Sequence, residues 1–135
     1  MKRLISCFAS DFQEMDKDEL LQSIKASEGR VLIAEVVCQV EPLYPGITNA
    51  EYAAAFGADM ILLNVLDVER PEVRGLENVG MDETVHVLKE MLGRPVGVNL
   101  EPVDPDADQL ETLNLLPKGR QATRSSLEKA KALGV

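Results

Sequence analysis

Four oxygen-bearing side chains stand at or near the ends of three apolar runs, where their types suit a binding site. Glu35 lies in the first run, Asn64 in the second, and Asn99 and Glu101 in the third. Side chains at the carboxyl ends of parallel strands meet at one edge of a sheet. A glutamate inside an apolar strand is also costly to bury without a partner. We therefore predict that these four residues form a catalytic site.

Carboxylates and carboxamides are hard oxygen ligands, which suit a Mg²⁺ or Mn²⁺ ion that keeps some of its waters. Glu35 and Glu101 are the predicted metal ligands. Alternatively, a carboxylate that does not bind a cation would serve as a general base for proton abstraction. A third interpretation gives them no function, because polar residues also appear wherever strands leave a core. No G-x-G-x-x-G or P-loop pattern occurs, so no nucleotide cofactor is indicated.

A basic turn precedes the last predicted helix. Lys118, Gly119 and Arg120 are followed by Thr123, a residue suited to cap a helix start. Free amides and the positive end of the helix dipole favour anions there. The pattern predicts a phosphate or carboxylate site at these four residues, with a solvated basic turn as the alternative.

Three strands and four main helices must position these groups. The strands are predicted at residues 31–38, 58–67 and 96–101. The second run is apolar on both alternating faces, which predicts helices on one side and a barrel or second layer on the other. Helices are predicted at about 16–26, 48–56, 82–92 and 123–133, preceded by a possible helical turn from Ser10, with capping boxes starting at Ser10, Asp16, Thr48 and Ser125. Asp82 is predicted to cap the third helix, and a Leu-rich piece (Leu110, Leu113, Leu115, Leu116) predicts a short helix in the long loop.

The order helix, glycine, strand repeats at Gly29, Gly57 and Gly93, and begins again at Gly134. This repeat predicts an α/β fold with a parallel sheet. Because 135 residues are fewer than the roughly 250 of a complete barrel, we expect one partial TIM-barrel-like domain spanning 1–135, the front portion of a larger barrel. The alternative is a complete small three-layer α/β sandwich.

The overall charge of the chain limits the classes of molecule that it is expected to bind. With 23 acidic and 14 basic side chains, the net charge of −9 disfavours nucleic acid and anionic membranes and favours a small polar substrate. No apolar run is long enough for a bilayer and the amino terminus lacks a signal-peptide pattern, so a cytoplasmic location is expected. Cys7 and Cys38 are expected to be reduced, and the single His86 to lie on a solvated helix face.

Two segments resemble the early βα units of TIM-barrel proteins. They are Phe-Gly-Ala-Asp-Met-Ile-Leu-Leu-Asn at 56–64 and Gly-Arg-Pro-Val-Gly-Val-Asn-Leu-Glu-Pro at 93–102. In particular they resemble a bacterial family of uncharacterised barrels labelled phosphoenolpyruvate-phosphonomutase-like or haloacid-dehalogenase-like hydrolases. The resemblance covers the front half of such a barrel. It implies a metal-assisted lyase, mutase or hydrolase acting on a small phosphorylated or carboxylated molecule.

An unpaired edge strand invites pairing with another chain, so a homodimer or higher homo-oligomer is expected. The alternative to an enzyme is a non-catalytic α/β oligomerisation or binding module, or an inactive fragment of a longer enzyme. A ligand bound at the strand ends would favour the enzyme.

Overall fold

The structure is a computed structural model that describes residues 2–104 and 116–135. It contains a parallel sheet in the order β1-β2-β3, which confirms the predicted α/β class. Within these two ranges, three short 3-10 helices join the longer elements. In chain order the longer elements are α1 (Ala9–Glu14), α2 (Lys17–Ala26), β1 (Ile33–Val37), α3 (Asn49–Ala55), β2 (Met60–Asn64), α4 (Thr84–Leu92), β3 (Val96–Val98) and α5 (Arg124–Ala132).

All three strands occur where they were predicted, but each is shorter than its apolar run. The central strand β2 stops at Asn64 because the next residue, Val65, takes a left-handed backbone with φ of 64°. A β-branched residue rarely adopts this conformation, so sequence propensity alone does not indicate the stop. Leu66 and Val68, which follow, are buried outside the strand.

One face of the sheet is covered by helices. Ile61, Leu63 and Val96 are buried on this face and form one core with Val85 and Leu88 of α4. Val85 and Leu88 are three residues apart, so they lie on the same side of α4, as the sequence predicted for a helix with one apolar side. Helices α3 and α5 contribute Ala50 and Ala130 to the same core.

The opposite face is open in the described part of the chain. Ile33, Glu35 and Val37 of β1 are exposed, and Leu62 of β2 is only partly buried. The expected second layer over β2 is therefore absent among residues 2–104 and 116–135. These residues form two layers, a sheet and one layer of helices, rather than the three layers of the alternative sandwich.

The helix starts confirm three predicted caps, those of Asp16, Thr48 and Thr123. Asp16 and Thr48 accept hydrogen bonds from the backbone N–H groups of Glu19 (2.8 Å) and Glu51 (3.1 Å), so α2 and α3 begin as predicted.

Three other predicted caps are wrong. Ser10 lies inside α1, which is capped by the Asp11 carboxylate accepting from the Phe8 N–H at 2.6 Å. Asp82 lies in a 3-10 helix, Met81–Glu83, that runs directly into α4, so it does not cap that helix. For α5 the cap is Thr123, which leaves Ser125 within the first turn. Tertiary context selects among neighbouring capping residues of similar propensity.

The chain returns to the sheet after β3. Glu101 forms a parallel bridge with Gln121, with the Glu101 N–H donating to the Arg120 carbonyl at 2.8 Å. This bridge lies at the position next to β3, at the carboxyl end of the sheet. Of the predicted Leu-rich helix, Leu110, Leu113 and Leu115 lie outside the described residues. No helix in the described ranges is long and apolar enough to cross a membrane.

Candidate functional site

Strand alternation places Glu35 on the open face of the sheet. Its neighbours in β1, Ala34 and Val36, point to the helix-covered side and pack against the core. Glu35 stands level with Leu62 of β2, one step below Asn64 on the same face. The Asn64 side-chain Nδ2 donates a hydrogen bond to Glu35 Oε1. The charged group therefore keeps access to solvent while one of its oxygens is held by β2.

Asn64 connects the strand end to the turn that follows. Its Oδ1 accepts the Val65 N–H at 2.8 Å and thereby supports the left-handed backbone of that residue. Strained backbone of this kind persists only where the surroundings fix it, and it is concentrated at functional sites. The same Oδ1 accepts a hydrogen bond from Asn99 Nδ2 at 3.3 Å. A single side chain thus links β1, β2 and the end of β3.

Asn99 and Glu101 follow β3 on the open face. Asn99 Nδ2 also donates to Glu101 Oε1 at 3.1 Å, which completes a continuous hydrogen-bonded chain across the carboxyl ends of the strands. We call this chain, Glu35, Asn64, Asn99 and Glu101, the polar row. The structure brings together all four residues that the sequence predicted as one site.

The floor of the polar row is apolar. A Cβ added at Gly97 would lie 3.1 Å from Leu62 Cδ1, so the absence of a side chain at 97 makes room for the leucine. The two residues are level in the β2–β3 pairing. The row is therefore a line of oxygen and amide groups at the edge of an apolar surface.

The polar row carries oxygen atoms of the type that hard cations prefer. Asn64 and Asn99 each donate a hydrogen bond to the Oε1 atom of a glutamate, Glu35 and Glu101 respectively. Within the described residues, no hydrogen bond is accepted by three other oxygens of the row: Glu35 Oε2, Asn99 Oδ1 and Glu101 Oε2. The described residues contain no group of three or more His, Cys, Asp or Glu placed to hold a metal ion. A cation here would rest on two carboxylates and an amide oxygen, with water or substrate completing its shell, as Mg²⁺ often does.

The predicted anion-binding residues lie beside the row but do not join it. Lys118 is exposed and Arg120 half-buried, and neither side chain forms an ion pair or hydrogen bond in the described structure. Thr123 accepts the Ser126 N–H at 3.1 Å as the cap of α5. The Arg120 carbonyl accepts from the Glu101 N–H, so this segment is attached directly to one end of the row.

Gly119 has a structural role that sequence reasoning missed. A Cβ at this position would lie 1.8 Å from Asp67 Oδ1 and 2.7 Å from the Glu69 nitrogen. Its carbonyl accepts the Val68 N–H at 3.1 Å. The glycine therefore holds the basic turn against the loop after β2, a long-range contact that leaves no signal in local sequence.

Cys38 and His86 stand apart from the polar row. Burial raises the pKa of the Cys38 thiol to about 12, so it stays protonated at neutral pH and is not an activated nucleophile. Cys38 instead lines a separate pocket of about 600 Å³ with Gln39 and the loop after β2. His86 is exposed on α4, with its Nε2 3.3 Å from Glu90 Oε1, on the solvated helix face that its spacing predicted.

The fold and the polar row define an α/β protein with a parallel sheet and an oxygen-rich group at the carboxyl ends of its strands. A family model described as "Domain of unknown function (DUF7916)" matches residues 5–135, and the chain belongs to that family. Searches of curated proteins and of solved structures found no match.

Proposed function

We propose that this chain carries the site of a barrel-type enzyme, a metal-assisted lyase, mutase or hydrolase of a small phosphorylated or carboxylated metabolite. The observation that carries the proposal is the polar row, because one hydrogen-bonded chain joins a side chain in the middle of β1, one at the end of β2 and two that follow β3. Parallel α/β proteins hold their substrates at this end of the sheet. The resemblance of residues 56–64 and 93–102 to early barrel units supports the same assignment.

In this proposal the two amides set the geometry of the acids. Asn64 and Asn99 each donate to one oxygen of a glutamate, which orients the other oxygen of Glu35 and Glu101 toward the open side. A bound Mg²⁺ or Mn²⁺ would supply Lewis-acid stabilisation of charge on a substrate oxygen. Without a cation at its carboxylate, either glutamate would act as a general base.

The cationic side chains supply the complementary charge. Lys118 and Arg120 have no protein counterion in residues 2–104 and 116–135, and they belong to the segment that pairs with Glu101. A phosphate or carboxylate of the substrate would neutralise them while its other oxygens approach the metal.

Titration with Mn²⁺ followed by calorimetry tests the metal assignment. Glu101→Gln keeps the size of the side chain and one acceptor oxygen but removes the charge, so we expect it to abolish Mn²⁺ binding while the fold stays intact. Glu128→Gln, at an exposed position of α5, is the matched control and should bind Mn²⁺ like the parent chain. Unchanged affinity in Glu101→Gln would refute the metal site.

Inorganic phosphate tests the anion assignment. The parent chain is expected to bind phosphate more tightly when Mn²⁺ is present, because both ligands contact the same site. Arg120→Ala should weaken phosphate binding and leave Mn²⁺ affinity unchanged, whereas Arg30→Ala, which removes an exposed arginine paired with Glu28, should change neither. Equal phosphate affinity in the Arg120 and Arg30 variants would contradict the proposal.

A second candidate is a non-catalytic oligomerisation or binding module. It is favoured by the two open edges of the described sheet, β1 and β3. This candidate predicts self-association without binding of Mn²⁺ or phosphate at the polar row, so the two titrations distinguish it from the enzyme.

A further inference from the structure

Among residues 2–104 and 116–135, the outer edge of β3 has no neighbouring strand and borders a groove. Pro95 and Asn99 direct their carbonyl and N–H toward β2, so the alternate residues Val96 and Val98 present their backbone groups to the other edge. A cavity of about 550 Å³ lies between this edge and α5. Its lining is mainly apolar and includes Leu62, Val98, Leu100, Leu127 and Ala130.

The helices indicate that the occupant is a strand. Helix α3 contacts both β1 and β2, so it covers the space between two neighbouring strands. Helix α5 buries Ala130 and Leu133 in the core, yet its Leu127 is 59% exposed over the groove. A strand beside β3 would lie against α5 at the groove and would bury Leu127.

The direction of that strand is set by an existing pairing. The Glu101–Gln121 bridge is parallel and occupies the position next to β3 at the carboxyl end. A strand lying below this bridge in the groove would therefore continue the sheet in the parallel sense of β1, β2 and β3.

We propose that β1 of a second copy of this chain occupies the groove. Within the described residues β1 forms the other open edge of the sheet, and it is flanked by exposed Leu32, Ile33 and Val37. A twofold axis along the strands pairs β3 of each copy with β1 of the other, so both open edges of both copies are satisfied at once. The two sheets then close into one parallel barrel, whose inner face carries the polar row of each copy.

This interface rests on the second candidate function and gives it a specific pairing, and it does not depend on metal or phosphate binding at the polar row. Light scattering on the purified chain measures it directly. The expected mass is twice the chain mass of 14.8 kDa. A mass of 14.8 kDa for the parent chain would overturn the proposal.

Two variants locate the interface. Leu127→Glu places a charge in the groove and should give the monomer mass, and Leu32→Glu should do the same from the opposite edge. Met91→Glu changes an apolar residue of α4 that is 48% exposed and lies away from both edges, and should leave the dimer intact. Circular dichroism would verify that each variant is folded. A folded Leu127→Glu and a folded Leu32→Glu that both remain dimeric would refute this interface.

Amide hydrogen exchange gives a second readout. In the parent chain the N–H groups of Val98 and Glu35, at the two open edges, should exchange slowly, and in Leu127→Glu both should exchange much faster. Fast exchange at both positions in a dimeric parent chain would mean that the copies meet elsewhere, which would overturn the proposed pairing.

Discussion

The two faces of the sheet are formed by alternating residues of the same strands, but their environments differ. On the helix-covered face Leu63 is fully buried, whereas its neighbours Leu62 and Asn64 on the open face are only partly buried. The covered face gains stability from apolar burial. The open face places charged and amide groups together at some cost in stability. In this fold, alternation within a strand therefore separates the residues that stabilise the sheet from those available to bind a ligand.

The largest expected contrast between the faces is in core truncation. Leu63→Ala should lower the free energy of unfolding by about 2–5 kcal/mol, because it leaves a cavity under α3 and α4. Leu62→Ala, one residue away on the open face, should cost less than about 1–2 kcal/mol because its side chain is already partly in water. Urea unfolding measures both, and equal losses would contradict the distinction between the faces.

A second contrast concerns the turn that holds the basic segment. Gly119→Ala would force a methyl group into Asp67 and the Glu69 nitrogen, and should destabilise the chain by about 1–3 kcal/mol. Gly80→Ala is the control, since a Cβ there meets nothing within 4 Å and the backbone is not left-handed. Thermal unfolding should separate the two variants. A harmless Gly119→Ala would show that the contact between the two loops does not constrain the site.

The buried thiol at the end of β1 makes stability depend on alkaline pH. The pKa of Cys38 is about 12 in the folded chain against 9.0 for an ordinary thiol, because burial disfavours the thiolate. Its contribution is present below pH 9 and is lost as pH rises toward 12, by up to about 1.4 kcal/mol per pH unit.

Cys38→Ala should therefore lose less stability than the parent chain between pH 9 and pH 10.5, as measured by urea unfolding at each pH. Cys7→Ala is the control, because Cys7 is the other thiol whose pKa is raised, chiefly by burial. If the free energy of unfolding fell equally with pH in the parent chain and in Cys38→Ala, ionisation of the Cys38 thiol would not be the cause of the loss.

The smallest expected effect is at the helix caps. Thr48→Ala removes the side chain that accepts the Glu51 N–H at the start of α3, and should cost about 1 kcal/mol. Ser125→Ala should be close to neutral, because Thr123 is the cap of α5. The melting temperatures of the two variants compare Thr48, which the structure confirms as a cap, with Ser125, which it does not. A larger loss in Ser125→Ala would reverse that assignment.

The sequence predicted the strands and the polar row because both depend on local pattern. Alternation and the Gly-strand repeat located β1, β2 and β3. A glutamate inside an apolar run identified Glu35, and a polar residue at the end of a run identified Asn64. Asn99 and Glu101 are two residues apart, so alternation along an extended chain places them on the same face.

Other features depend on contacts between distant parts of the chain. The Glu101–Gln121 bridge joins residues that are 20 positions apart in the chain, and the need for glycine at 119 arises from Asp67. The left-handed backbone of Val65 opposes its own propensity and is supported by the Asn64 side chain. Competing caps such as Ser125 and Thr123 have similar propensities, so packing decides between them.

The most direct test of the open face as a binding site is an NMR titration with Mn²⁺, observing side-chain amide signals. Our account predicts that the Nδ2 signals of Asn64 and Asn99 broaden first, at substoichiometric metal, while those of Asn49 and Asn78 persist. Broadening that begins at Asn49 or Asn78, or that reaches all four signals together, would contradict a metal site at the polar row.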